Sequence, residues 1–400
     1  MKRSPSPQAG VTLIEMMVAL VIGMVLSIAV MMVLSTFEGR RRTLGSTSDL
    51  DQAGALAMFQ LDRWMRSAGT GLGQGSSFAY GCTLFAARSG HQVLPLTGPL
   101  PAPFASVDPG TSGVFRLAPV LILPGQTMPN ISGKASDVLV VMSAGNDASQ
   151  VPSPLSAPPA ADHLAIDNLT EFSPGDLLLV ADHHQSPGGG AANCMVSQVS
   201  SSLTTSGTGT TLPLGGSDST YASASIGSAA ITSLTDGPVA FDLGAPTASG
   251  TSQPPSFQLI GVGDNDTLYG YDLLQVSGSS AQAQAEGVFE MHAVYGIHSS
   301  ANADNKVDQW VDAGATSAYS VAALSDGSVG ATTRLKNILA VRVALILRTA
   351  LPEKDAVTPH ALTMFTDLPG LAITRTLTSA EQHFRYRVVE TTVPIRNNGF

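Results

Sequence analysis

The chain has 400 residues, of which 44% are hydrophobic and 12% charged, with 40 glycines, 25 prolines and a formal net charge of −10. Between Arg116 and Arg334 the only cations are Lys134 and Lys306, too few to neutralise a nucleic-acid backbone. No Walker, Rossmann or HExxH pattern and no Gly-x-Ser-x-Gly elbow occurs, so the sequence offers no nucleotide site, zinc-protease helix or hydrolase nucleophile and implies no cofactor.

The first ten residues, MKRSPSPQAG, are basic, interrupted by Pro5 and Pro7, and end in Gly10. From Val11 to Phe37, 27 residues, the only ionisable side chain is Glu15. That run makes roughly 40 Å of helix at ~1.5 Å per residue, and a span needs ~20 apolar residues. A removable secretory signal has an apolar region of ~7–15 residues followed by a small-x-small cleavage site. Here the run continues into Glu38 and Arg40–Arg42, so it reads as a retained single-span anchor. Lys2 and Arg3 favour a cytoplasmic N-terminus and the Arg40–Arg42 triplet opposes them, so charge leaves the orientation open.

Glu15 admits two readings. In the first, Thr12-Leu13-Ile14-Glu15 is a capping box in which Thr12 and Glu15 each take the other's backbone N–H, and the acid sits at the positive end of the helix dipole. In the second, the carboxylate pairs with a cation of another subunit within the membrane. A charge at the centre of a spanning helix costs ~2.5–3.5 kcal/mol on insertion scales, and Glu15 lies near one end, where it costs less.

Beyond the anchor, Leu50, Ala53, Ala57, Leu61 and Trp64 recur at spacings of 3, 4, 4 and 3, the stripe of a one-sided helix. Asp49, Asp51, Asp62, Arg63 and Arg66 lie off it, and Gly69, Gly71 and Gly73 end the run. One helix from about Val11 to Ala68 is predicted, roughly 87 Å long. Residues 11–37 are apolar all round and residues 38–68 form an amphipathic stem, with Gly39 and Gly45 expected to loosen it near the membrane exit.

Residues 69–400 are predicted to be a β-rich head, which makes the fold class α+β. Short apolar runs read as strands at Asp137–Met142, Asp176–Ala181, Cys194–Val199, Val288–Ile297, Ile338–Arg348 and Arg385–Ile395. In the fourth, alternation puts Phe289, Met291, Ala293, Tyr295 and Ile297 on one face and Glu290 and His292 on the other. In the fifth, Val341, Val343, Leu345 and Leu347 oppose Arg342 and Arg348. Pro-rich stretches (Leu94–Pro109, Val151–Pro159) and a Ser/Thr/Gly tract from Ser200 to Ala230 read as long loops. Cys82 and Cys194 are the only cysteines, compatible with one disulfide in an oxidising periplasm.

The Gly-Val-Thr-Leu-Ile-Glu start of the apolar run, behind a short basic leader, resembles the type IV prepilin signature. The resemblance implies that residues 1–10 are a leader, that a prepilin peptidase cuts between Gly10 and Val11, and that Val11 is then N-methylated. Glu15 would neutralise the amino terminus of a neighbouring subunit during assembly. Val11 departs from the family, which usually has Phe there. Four further stretches resemble the PilW-like family of large minor pilins: FQLDRWMRSAGTG at the end of the stem, PGDLLLVAD with Cys194 following, GVFEMHAVYGIHSSANADNKVDQWVDA, and FRYRVVETTVPIRN. They leave most of residues 85–280 uncovered. By resemblance the protein is a minor pilin, held in the inner membrane by one span with its head in the periplasm and then moved to the pilus. Its partners would be other minor and major pilins, the prepilin peptidase and the inner-membrane assembly machinery, in a priming or tip complex that supports adhesion and twitching motility. The alternatives are a tip adhesin with a ligand-binding head, a type II secretion pseudopilin, for which the head is long, and a membrane-anchored periplasmic enzyme, for which no convergent polar site is visible.

Two polar clusters invite a metal reading. Asp182, His183 and His184 with Cys194 offer ligand types, yet adjacent histidines point apart on a strand. Asn302, Asp304 and Asp308 offer the oxygens a hard cation needs, but Lys306 sits among them and no bidentate Glu follows, so a polar hairpin is the plainer reading.

Overall fold

The computed structural model describes residues 10–109, 113–127, 135–182, 192–204, 210–216, 219–221, 223–247, 253–299 and 306–395, with the backbone alone at 36, 38–40 and 42–44. Its first element is a single α-helix, Leu13–Ser67, of 55 residues, about 82 Å at ~1.5 Å per residue. Gly39 and Gly45 lie inside it without a break, because a glycine costs a helix only ~1 kcal/mol, which long apolar and packed neighbours on both sides outweigh. The helix ends where predicted: Gly69 adopts φ +75°, which glycine accepts readily, and its N–H reaches the Met142 carbonyl at 2.9 Å, turning the chain into the head.

The stem packs by one stripe. Leu50, Ala57, Leu61, Met65 and Ala68 are buried, while Ala53 and Trp64 flank them and are half-buried. Gly54 lies on the same stripe, and a Cβ there would stand 2.3 Å from Cδ1 of Leu347. The bare glycine therefore lets the helix approach the Ile338–Arg348 strand closely. Asp62 and Arg66 form an i,i+4 pair at 2.6 Å, and Asp51 pairs with Arg387 of the last strand.

The described part of the head holds three large sheets. A four-stranded antiparallel sheet runs Gln309–Val311, Val288–Ile297, Ile338–Arg348, Tyr386–Pro394. A five-stranded antiparallel sheet runs Gln282–Glu286, Thr267–Asp272, Ser256–Gly263, Ser136–Ser143, Val120–Thr127. The stem packs on both. A six-stranded sheet runs His91–Leu94, Thr83–Arg88, Asn193–Gln198, Leu177–Ala181, Val239–Gly244, Ser153–Pro154, and within it Thr83–Arg88 and Asn193–Gln198 are parallel. One core joins stem and sheets. A second lies on the six-stranded sheet, and a third covers the outer face of the four-stranded sheet, beneath the hairpin of Ala361–Met364 and Ile373–Thr376.

The expected alternation along Val288–Ile297 fails at one residue. The strand's register shifts between Val288 and Glu290, a bulge that sets two residues against one. Phe289 is thereby moved from the face of Met291, Ala293, Tyr295 and Ile297 to the outer core with Val294, Ala344 and Ile346. The Ile338–Arg348 strand alternates as its pattern predicts. The Pro-rich stretches are loops apart from a short 3₁₀ turn at Phe104–Ser106 and a two-residue strand at Ser153–Pro154. The Ser/Thr/Gly tract includes Thr211–Pro213 and a tight hairpin, Ser225–Ile226 with Ala229–Ala230, and lies partly outside the described residues.

Candidate assembly interface

The N-terminus of the long helix carries the capping box of the first reading of Glu15. Gly10, Val11 and Thr12 are non-helical and exposed, so the Gly10–Val11 peptide precedes the first turn in accessible backbone; the leader ahead of Gly10 lies outside the described residues. Thr12 is the N-cap. Its backbone N–H and its hydroxyl both donate to Oε2 of Glu15 at 3.0 Å, and the Glu15 N–H donates to Oγ1 of Thr12 at 3.3 Å. The capping box uses one carboxylate oxygen. Among the described residues Oε1 has no partner, so capping engages only half of the carboxylate.

Leu13–Ser35 is long and apolar enough to cross a membrane, and none of it is buried by the rest of the chain. Its hydroxyls are satisfied locally: Ser27 donates to the Gly23 carbonyl at 2.8 Å and Ser35 to that of Met32 at 2.9 Å, as hydrocarbon requires. The apolar column continues on the stem's outward face at Phe37, Leu56 and Phe59, the last 62% exposed. On the stem these exposed apolar side chains stand among the exposed Gln52, Arg63 and Arg66.

The described part of the head carries its polar groups in structural arrangements. Cys82 and Cys194 are joined as a disulfide with Cα atoms 5.6 Å apart, next to the parallel strand pair, where Leu84 faces Cys194. The four- and five-stranded sheets are linked by polar bonds. Ser136 Oγ and Asp137 Oδ2 accept the N–H groups of Met291 and Ala293, and the Tyr295 hydroxyl accepts the Ile122 N–H at 2.6 Å. His292 lies between two acids, 3.7 Å from Asp137 and 3.5 Å from Glu290. Burial alone pushes its pKa down, but the two carboxylates outweigh that and carry it up to about 9. Glu290, 1% exposed, bonds Arg375 at 2.5 Å, and Arg375 also holds Glu381 at 2.9 Å. The carboxyl of Asp242 is pushed up to about 7 by burial, with Asp176 and Asp147 adding to the effect against the N–H groups of Gly244 and Ser149.

The two suggested metal clusters fall mostly outside the described residues, namely His183, His184, Asn302 and Asp304. Asp182 accepts the Asp236 N–H at 2.9 Å. Asp308 accepts the N–H and hydroxyl of Ser299 at 2.8 and 2.9 Å, closing a hairpin. Among the described residues no group of three or more His, Cys, Asp or Glu is arranged to hold a metal ion.

Two family models match the sequence. Residues 5–31 match the prokaryotic N-terminal methylation motif, which spans the capping box and most of the apolar run. Residues 260–397 match Type IV pilus-assembly protein W, which covers the whole four-stranded sheet and the hairpin packed on it. The chain is a type IV pilin-like, PilW-like protein. The two matches fall on the parts of the molecule that carry the anchor and the sheet on which the stem docks. Of the four further stretches that resemble the family, the two C-terminal ones lie inside the PilW match and FQLDRWMRSAGTG and PGDLLLVAD lie outside it. No curated protein and no solved structure matches the chain. Pilin-like proteins are structural rather than catalytic, and the PilW-like chain fits a single-pass, membrane-anchored pilin that works with other pilins and the pilus machinery.

The spacing of the stem was readable in the sequence. The Asp137–His292–Glu290–Arg375 network was not, because its members come from three separate strands and the outer face that carries Glu290 is covered only by the distant hairpin that brings Arg375.

Proposed function

We propose that the PilW-like chain is a minor pilin of the type IV pilus that acts by assembly, not catalysis. A prepilin peptidase cuts between Gly10 and Val11, Val11 is N-methylated, and the helix holds the chain in the inner membrane with its head in the periplasm. Oε1 of Glu15 then receives the methylated amino terminus of a neighbour, and the apolar column enters a helical bundle of other minor and major pilins. The head, residues 69–400, is too large to repeat in every layer of a thin filament. This supports a rare subunit of a priming or tip complex on which adhesion and twitching motility depend.

The observation that carries this reading is one uninterrupted helix, fully exposed and apolar over Leu13–Ser35, capped at Thr12–Glu15, and buried on one side only from Leu50 onward. Quantitative mass spectrometry of sheared pili tests it. The expected result is a mature chain beginning with N-methylated Val11 at a small fraction of the major pilin. An intact Met1, or absence from both the filament and its membrane-bound precursor complex, overturns it.

A further inference from the structure

Between the upper stem and the five-stranded sheet lies a cleft of about 460 Å³, within the ~300–1,000 Å³ of small-molecule sites. We propose that this cleft is a saccharide-binding site, with Trp64 as its stacking platform and the carboxamides of Gln60 and Gln258 as its hydroxyl-reading groups.

The indole of Trp64 lies over Gly270, whose missing Cβ would stand 3.4 Å from Cη2 of Trp64 and 3.5 Å from Oε1 of Gln258. Ring and amide are thus side by side on a bare stretch of sheet, with Gln60 one helical turn away on the stem. Trp64 is half-buried against the core and half-open to the cleft. Among the described residues neither carboxamide nor the indole N–H has a hydrogen-bond partner.

The charges at the cleft are already engaged. Asp272 spends one oxygen on the Leu274 N–H and the other on the N–H and hydroxyl of Ser277. Arg63 donates to Oε1 of Gln253 at 3.0 Å. One engaged cation is a poor phosphate site, which calls for several donors in a fork or nest. An apolar ligand would strip water from the amides without replacing their bonds, a cost of ~1–3 kcal/mol for each group. A neutral sugar satisfies both halves of the cleft. Its axial C–H face lies on an aromatic ring, and its hydroxyls both donate and accept, as a carboxamide does. A β-1,4-linked pyranoside keeps its substituents equatorial and presents the flattest such face.

The test uses the purified full-length chain in detergent and cellotetraose as the probe, followed by calorimetry and tryptophan fluorescence. Saturable binding with Kd below about 10 mM is expected, at the weak end of the affinity scale. Trp64→Ala should weaken it at least about tenfold, Trp64→Phe less, and Gln258→Ala by about three- to tenfold, each ~1.4 kcal/mol being tenfold. Circular dichroism and an unchanged melting temperature for Gln258→Ala separate loss of binding from loss of fold. No saturation, or binding that survives Trp64→Ala, overturns the proposal. So does shielding of Trp64 from an added quencher in assembled pili but not in the free chain, which makes the cleft a subunit interface. None of these outcomes bears on whether the chain is processed and assembled.

Discussion

Replacing Glu15 by Gln separates a helix cap from an assembly contact. In the free chain the capping box needs one acceptor oxygen at position 15, and it accepts from the N–H and hydroxyl of Thr12 at 3.0 Å. Glutamine supplies that oxygen and serves in capping boxes, so the isolated helix loses only the dipole contribution, ~0.3–1 kcal/mol. If Oε1 receives a neighbour's methylated amino terminus, the loss is that of one partner in a desolvated charge pair, ~2–5 kcal/mol. At ~1.4 kcal/mol per tenfold this is about 30- to 4,000-fold in association. Thr12→Ala makes the converse change: it removes the cap, at ~0.5–2 kcal/mol, and keeps the charge. We expect Glu15→Gln to insert and to be cut after Gly10 but to co-purify poorly with partner pilins and to yield few pili when it is the only copy. Thr12→Ala should assemble far better. Wild-type recovery of both readouts for Glu15→Gln would refute the pairing and leave the carboxylate as a cap alone.

Further outcomes follow from the head. Arg375→Met leaves Glu290 buried with only His292 to offset it, and should cost about 3 kcal/mol, the low end of breaking a buried pair; Glu290→Met/Arg375→Met should recover most of that in denaturant melts. His292, with its pKa raised to about 9, stabilises fully below about pH 6.5 and loses that contribution as pH rises to about 9, so His292→Gln should flatten the alkaline limb of a plot of Tm against pH. Asp242, raised to about 7, holds its proton in the fold when the unfolded chain has lost it, so stability falls between about pH 4 and 7 and Asp242→Asn should flatten that limb. Cys82→Ser with Cys194→Ser opens a closure of 112 residues and should cost up to ~4.7 kcal/mol in the chain-entropy picture; peptide mapping without reductant that finds both cysteines alkylatable would exclude the bridge in the exported protein.

The elements legible in the sequence are those whose information is local. The capping box, the apolar run and the stem stripe each repeat over a few residues, and the six predicted strands are the most continuous apolar runs in the head. Thr83–Arg88, Val120–Thr127, Val239–Gly244, Ser256–Gly263 and Thr267–Asp272 were not predicted. All but TLFAAR are broken by Gly, Pro, Asp or Gln, as in VLILPGQT and SFQLIGVG, and each becomes a strand through its partners. The parallel pairing of Thr83–Arg88 with Asn193–Gln198 joins segments more than a hundred residues apart, a register that no local pattern encodes.

The bulge at Phe289 shows how one such non-local feature changes chemistry as well as topology. With strict alternation Glu290 belongs to the face opposite the core and reads as a solvated acid. The register shift adds Phe289 to that face, the hairpin of Ala361–Met364 and Ile373–Thr376 covers it, and Arg375 lies 5.6 Å over the Phe289 ring and meets the Glu290 carboxylate. An acid carried there without a cation would cost several kcal/mol, so the strand, the bulge and the Ile373–Thr376 strand that brings Arg375 form one unit. That unit falls within residues 260–397, the span of the PilW match, and its inner face receives the stem: Leu347, beside Gly54, sits opposite Val288 in the pairing. The outer ionic layer and the inner apolar layer thus fix the same pair of strands from both sides.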